Sequence, residues 1–323
     1  MGLVDTYRGA VDSNDLGPTL IHEHLFVRNP ELEVNVPDRE WDPERAIDWA
    51  VDGLFDLYEL GVRTVVDLTV PGLGRDARLA ARVAERVPVN LVAATGWYTP
   101  DVLPTYFRFH GPERLIDGAD PLIEMFVGDI RVGIGGTDVR AGMLKVMTDV
   151  EGFTPDVTRV MTAAAVAHQE TGVAITTHSH PASRNGIEQQ RFLLDHGVRA
   201  ERMVIGHCGD TSDIAYLRAI MDEGSTIGMD RFGMDHVLPV EDRVRTVVQL
   251  VELGYSDRMV LSHDAAFYSH VTPPSWRVNH APFWRMDTIH RRVIPMLHDA
   301  GIPTETVSKM LVDNPRRLLE KWI

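Results

Sequence analysis

The feature that most narrows the fold of this chain is an alternation: eight short apolar runs, separated by longer segments of helical period, recur from Thr19 onward. Short Val/Ile/Leu-rich runs bounded by turn residues read as buried strands, and apolar residues every three or four positions read as amphipathic helices. Strands are expected over Thr19–Leu25, Thr64–Val70, Asn90–Thr95, Gly142–Met147, Ala174–His178, Met203–His207, Ser225–Met229 and Met259–His263. Helices are expected over Pro43–Leu60, Ala77–Arg86, Pro155–Glu170, Ile187–His196, Ile214–Glu223 and Val240–Leu253, with Trp284–Ala300 and Thr304–Lys321 closing the chain. Gly61 and Gly172 each stand between a helix and the next strand, where a left-handed C-cap is needed. Such units in one unbroken run, joined by right-handed crossovers, predict an α/β fold: a single-domain (β/α)8 TIM barrel over residues 1–323. A doubly wound open sheet is the alternative, but its Gly-rich phosphate loop is missing. The nearest match, Gly133-Ile134-Gly135-Gly136, follows no clear strand and reads as a plain loop.

Composition excludes several classes of function. A formal charge of −15, with no Lys/Arg run, repels phosphate backbones and argues against nucleic acid as a partner. No apolar run approaches transmembrane length, and Met1-Gly2-Leu3-Val4-Asp5 lacks the layout of a secretory signal, so a soluble cytoplasmic protein is expected. The single cysteine, Cys208, excludes an internal disulfide and agrees with a reducing compartment.

The barrel gives the polar residues a shared place, because reactive groups in this fold sit at the C-terminal ends of strands. His22 and His24 in Thr19-Leu20-Ile21-His22-Glu23-His24-Leu25 are two residues apart, so both rings point the same way and can reach one metal ion. Lys145, His178, His207 and Asp264 stand at or near the ends of strands four, five, six and eight. One histidine alone reads as a surface or core residue; the pair with matching groups at other strand ends reads as a metal cluster. Lys145 in an apolar strand is either a snorkelling edge residue or a buried neutral amine that adds carbon dioxide, and the resulting carbamate offers two oxygens to bridge two metals. Asp264 is either an N-cap or a hard oxygen ligand able to take the proton of an attacking water. The completed set favours the ligand role, and argues against a retired, non-catalytic barrel.

These residues carry a resemblance. The chain resembles the phosphotriesterase family of the amidohydrolase superfamily, and within it the phosphotriesterase-like lactonases that open N-acyl-homoserine lactones. The similarity runs from Leu16-Gly17-Pro18-Thr19-Leu20-Ile21-His22-Glu23-His24 through Asp67-Leu68-Thr69 and Ile205-Gly206-His207-Cys208-Gly209-Asp210 to Val312-Asp313-Asn314-Pro315-Arg316-Arg317. It implies that His22, His24 and Asp264 bind one divalent metal, that His178 and His207 bind a second, and that carboxylated Lys145 with a hydroxide bridges both. Zinc is the first expectation, with cobalt, iron or manganese as alternatives, since mixed His/carboxylate sites accept several metals. His180 is then expected near the metals without binding them, or facing substrate, and His263 pointing away.

Tyr98, in Thr95-Gly96-Trp97-Tyr98, matches a tyrosine that lactonases of the family hold over the metal pair; aromatic packing is its other reading. Arg231, in Gly228-Met229-Asp230-Arg231, stands where true phosphotriesterases carry histidine, and an arginine there fits the lactonase pattern; a structural ion pair with Asp264 or Asp210 is its other reading. The implied reaction is lactone opening by a hydroxide formed between two metals, with Asp264 moving the proton and weak phosphotriester hydrolysis alongside. A related hydrolase of another ester, lactone or phosphoester is the alternative. The resemblance also implies a homodimer acting on a small-molecule lactone. Phe267, Tyr268 and Trp276, in the stretch Ala265 to Phe283, either line an acyl-chain channel or pack that stretch onto the barrel.

Overall fold

The computed structural model describes residues 2–36 and 38–321. Its centre is a curled parallel sheet of nine strands: β1 Thr19–Val27, β2 Thr64–Asp67, β3 Asn90–Gly96, β4 Ala141–Met147, β5 Ile175–His178, β6 Met203–Ile205, β7 Thr226–Met229, β8 Met259–Leu261 and β9 Ala266–Ser269. Each of β1 to β8 pairs with its successor except across the β8–β1 seam. The seam is closed another way: β9 runs parallel to β1 with Ala266 opposite His24, while Asp264 N donates to His22 O and His24 N to Ala265 O. The expected eight strands are present in order, wrapped by helices, and the architecture is a TIM barrel.

Helices α1 Pro43–Glu59, α2 Ala77–Ala84, α3 Pro121–Arg131, α4 Pro155–Thr171, α5 Asn185–Asp195, α6 Ile214–Asp222 and α7 Val240–Glu252 form the connections. Their starts are written in side-chain chemistry. Asp42, Asp76, Asp120 and Thr154 each accept a hydrogen bond from a first-turn amide, and proline opens α1, α3 and α4. Gly172 ends α4 at φ 72° and Gly61 follows α1 at φ 98°, the left-handed positions expected of them.

Inside the barrel, Ile21, Val66, Val92, Met143, Val204 and Val260 form one apolar cluster contributed by six strands, closed by Val4 and Leu318 from the two ends of the chain. This dry floor leaves the strands' C-terminal ends as the place where polar groups meet. Two backbone features shape that rim. The β1–β2 register shifts between Leu20 and Glu23, a bulge that re-aims the segment holding His22. Gly96 of β3 pairs with Lys145 of β4 at φ 136°, where a Cβ would come within 1.8 Å of the Lys145 carbonyl, so a larger residue would push β3 away from the lysine.

Several expectations are corrected. Strands six and eight end at Ile205 and Leu261, because His207 and Asp264 turn to φ 59° and 53° and leave the ladder. Trp284 lies in an irregular segment; the last two helices each contain a π turn, Ile289–Val293 and Lys309–Asp313, and are shorter than expected. The Gly133–Gly136 loop includes a short 3-10 turn, Ile134–Gly136, after α3, a helix that periodicity did not reveal. An N-terminal hairpin, Leu3–Thr6 with Gly9–Asp12, and the helices Pro30–Asn35, Thr105–Phe109 and Pro274–His280 are further additions.

Candidate metal centre

All six expected strand-end groups converge. His22 Nε2 and His24 Nε2 lie 3.3 and 3.1 Å from Asp264 Oδ1. His178 Nδ1 lies 3.0 Å from His207 Nε2. Lys145, 1% exposed, meets the first group, with Nζ 3.2 Å from His22 Nε2. His207 and Asp264 are two of only four non-glycine residues with positive φ among the described residues, a backbone cost that concentrates where geometry is demanded by function.

The outward-facing ring nitrogens decide what the inward-facing ones can do. Asp230 accepts from His22 Nδ1 at 2.7 Å and from His207 Nδ1 at 3.0 Å, and also from the His207 amide. Asp149 faces His178 Nε2 at 3.4 Å. Thr69 gives its own hydroxyl proton to Asp67, so it accepts from His24 Nδ1 at 3.0 Å. Each network turns an outer ring nitrogen onto an oxygen acceptor and leaves the inner nitrogen facing the centre of the cluster. Asp230 therefore orients two rings from behind, although it also lies within ligand distance of His22 and His207.

Arg231 takes both ion-pair roles that its sequence left open. Its Nε donates to Asp264 Oδ2 at 3.0 Å and its Nη1 to Asp210 Oδ2 at 2.8 Å. Tyr98 stands edge-on to His178 with ring centroids 5.6 Å apart, and its phenol is pushed up to about 12 by burial and then by Asp264, so it remains a donor at neutral pH. Burial also pulls Lys145 down to about 8, against the opposing pull of Asp264 and Asp230, so a reactive neutral amine is accessible near neutrality. Burial raises the Asp264 carboxyl, but its histidine neighbours outweigh this and hold it well below the ordinary range.

Two neighbouring histidines lie outside the cluster. His263 gives its Nδ1 proton to Glu23 at 2.6 Å and accepts from Ile289 N at 2.9 Å, so it points away as expected. Glu23 also accepts from Ser262 Oγ and the His263 and Ala265 amides, stitching β1 to the segment that carries Asp264. His180 bonds Ser183 in a partly exposed turn. After strand eight, Tyr268 is 1% exposed, bonds Asp38 and packs on Trp41, which is the packing alternative. Phe267 turns toward Gly53 of α1 and lines an outer cavity of about 590 Å³ that includes none of the six convergent residues.

Asp230, Asp149, Asp67 and Glu23 are the functional-site residues to which the sequence reading gave no role. A signal existed for the first, since Asp230 follows β7 directly, as Asp264 follows β8 within three residues. Nothing local marks which ring an aspartate will reach.

The phosphotriesterase family model matches residues 2–319. The chain is 45% identical over 318 residues to the phosphotriesterase homology protein of Mycobacterium tuberculosis, covering 98% of each chain. It is 38% identical over 312 residues to the aryldialkylphosphatase of Saccharolobus solfataricus, covering 96% of this chain and 97% of that one. The solved structure of the phosphotriesterase from Mycobacterium tuberculosis superposes with a TM-score of 0.96 over 99% of this chain and 98% of that one. With a whole-length family match resting on a cluster of histidines, lysine and aspartate at the barrel mouth, the chain belongs to the phosphotriesterase family and is a metal-dependent hydrolase.

Proposed function

We propose that this enzyme opens N-acyl-homoserine or related lactones, with slower hydrolysis of aryl phosphotriesters, and that residues 1–323 act as one catalytic unit. The observation that carries the metal reading is the convergence of imidazole nitrogens and a carboxylate at the barrel mouth, with His178 Nδ1 3.0 Å from His207 Nε2 and His24 Nε2 3.1 Å from Asp264 Oδ1. With their outer nitrogens facing Asp230 and Asp149, the His207 and His178 rings turn their inner nitrogens to one point where a cation would be held. Imidazole nitrogens and a carboxylate oxygen gathered within 3.3 Å are a donor set that fits divalent cations.

His22, His24 and Asp264 Oδ1 would hold one divalent ion, and His178 with His207 the other; zinc suits these donors, with cobalt, iron and manganese as alternatives. Lys145 would bridge the two sites as a carbamate, its Nζ bonding to the carbon of carbon dioxide and releasing one proton. When bound, such a pair of ions supplies an acidified water and polarises the scissile carbonyl. Asp264 Oδ2, held by Arg231 Nε and 3.9 Å from His207 Nε2, takes the proton of the attacking water and returns it to the ring oxygen as the ring C–O bond breaks. Tyr98 keeps its proton and hydrogen-bonds through its phenol O–H to the carbonyl oxygen, which gains charge in the tetrahedral state.

A tyrosine beside His178 and an arginine on Asp264 support the lactone reading. The 38% identity to a protein named aryldialkylphosphatase supports phosphotriesters as the second reading. Initial rates on lactones of several acyl lengths and on an aryl phosphotriester, using protein of measured metal content, separate them. A lactone kcat/KM at least ~10-fold above the phosphotriester value is expected; the reverse order overturns the proposal.

We also read the enzyme as a cytoplasmic homodimer. The single cysteine, buried Cys208, is free, and no described helix is long and apolar enough to cross a membrane. The segment after β3 exposes Tyr106, Phe109, Leu115 and Ile116, apolar surface of the kind a partner subunit covers. Light scattering on eluted protein tests the dimer.

A further inference from the structure

We propose that Arg243, on α7 and removed from the convergent ligand atoms, is a positioning residue that sets the orientation of Asp264 through Asp210 and Arg231; this rests on the reading of Asp264 as the working carboxylate. Four charges of alternating sign lie in series. Arg243 Nη1 is 2.7 Å from Asp210 Oδ1, Asp210 Oδ2 is 2.8 Å from Arg231 Nη1, and Arg231 Nε is 3.0 Å from Asp264 Oδ2.

The inference comes from how the charge is divided. Arg231 serves two carboxylates at once, so Asp210 and Asp264 compete for one guanidinium. Arg243 takes part of the demand from Asp210. Without it, the Asp210 carboxylate would be free to engage Arg231 with both oxygens, the bidentate geometry that carboxylates and guanidinium prefer, and Arg231 Nε would be drawn from Asp264. The head group of Arg243 is built to stay in place: the residue is 1% exposed, with Nη1 donating to Gly209 O at 2.6 Å, Nε to Leu238 O at 3.0 Å and Nη2 to Met234 O at 3.4 Å. Met234 and Leu238 belong to the segment that begins at Arg231, and Met234 N donates to Arg231 O. Arg243 thus holds both the anion that Arg231 binds and the backbone that carries Arg231.

Arg243→Lys keeps the charge and loses the fork; Arg243→Met loses both. Relative to wild-type holoenzyme, kcat is expected to fall by about 10-fold for Lys and about 100-fold for Met, with KM moving less than about 2-fold. In an Arg231→Met background the Arg243→Lys substitution is expected to change kcat by less than about 2-fold, because the relay is already cut. A second readout needs no turnover: in metal-stripped protein, the Arg231 Nε–H resonance in 15N spectra should shift and exchange faster in Arg243→Lys. That resonance is read whatever the substrate proves to be, so it separates failure of this proposal from failure of the lactone assignment. An unmoved Arg231 resonance, or kcat losses that multiply in the double variant, would overturn the proposal. If Arg243→Met does not fold, the Lys variant carries every arm of the test.

Discussion

His22 and His207 lean on the same carboxylate, Asp230, and yet bind protons with opposite strengths. Burial lowers the proton affinity of both rings. At His22, Asp230 and Asp264 together outweigh burial and Lys145, and its pKa ends above the ordinary value. At His207, burial and the Arg231 charge win and the pKa falls well below it; on the same side His178 is pulled down to about 4, chiefly by burial. One half of the cluster is therefore charge-rich and the other half is a pair of neutral imidazoles. Neutral imidazole is the form that donates to a metal, so the His178–His207 side is ready at neutral pH, whereas the His22 side must shed a proton when a cation arrives.

The most damaging test of this two-sided arrangement is Lys145→Ala, since the proposed carbamate on Lys145 would bridge the halves. Metal should be lost from both, with turnover falling ~10³-fold or more, as measured by elemental analysis and initial rates. Full occupancy of either half would show that Lys145 does not couple them. Asp230→Asn comes next, because it touches a ring on each side. Metal affinity should weaken ~10- to 100-fold in both halves, whereas Asp149→Asn, facing His178 alone, should weaken one by about 10-fold. Chelator competition that found equal losses from Asp149→Asn in both halves would dissolve the distinction.

Proton linkage sharpens it further. In metal-stripped protein His178 stays neutral down to about pH 4, while the unfolded chain binds that proton near 6.5. Between those values the unfolded state holds more protons, so stability falls as pH drops, by on the order of 3 kcal/mol once complete. His22 has the opposite sign: its raised pKa contributes stability below 6.5 that is lost as pH rises through the folded value. Denaturant midpoints against pH should show His178→Gln flattening the acid limb and His22→Gln flattening the limb above 6.5. Identical profiles for the two variants would break the comparison. The smallest effect belongs to His180→Ala, a partly exposed ring on Ser183, with stability within about 0.5 kcal/mol of wild type and unchanged metal content.

The strand-end residues were legible because their signal is local. A histidine pair at i and i+2 in an apolar run, or a lysine inside Gly142-Met143-Leu144-Lys145-Val146-Met147, breaks a pattern that burial would otherwise dictate. Asp230, Asp149 and Asp67 were not legible in this way. An aspartate just past a strand is ordinary turn chemistry, and which ring it reaches depends on neighbouring strands. Helix α3 was hidden because apolar residues Leu122, Phe126 and Ile130 are interleaved with partly buried Ile123, Met125 and Val127, which blurs the helical period. Tyr268 shows the limit from the other side: its sequence suited a substrate channel and a packing role equally, and the contact with Trp41 and Asp38 chose packing.

Sequence alone determined the alternation of strands and helices, the barrel that follows from it, and the six side chains at its rim, since periodicity and strand-end placement are properties of consecutive residues. Tertiary structure alone decided which oxygen each imidazole's outer nitrogen reaches, that Arg231 serves both Asp264 and Asp210, and why like histidines differ in charge. Those outcomes depend on distances between groups far apart in the chain, in a buried setting where an ångström changes the electrostatic balance.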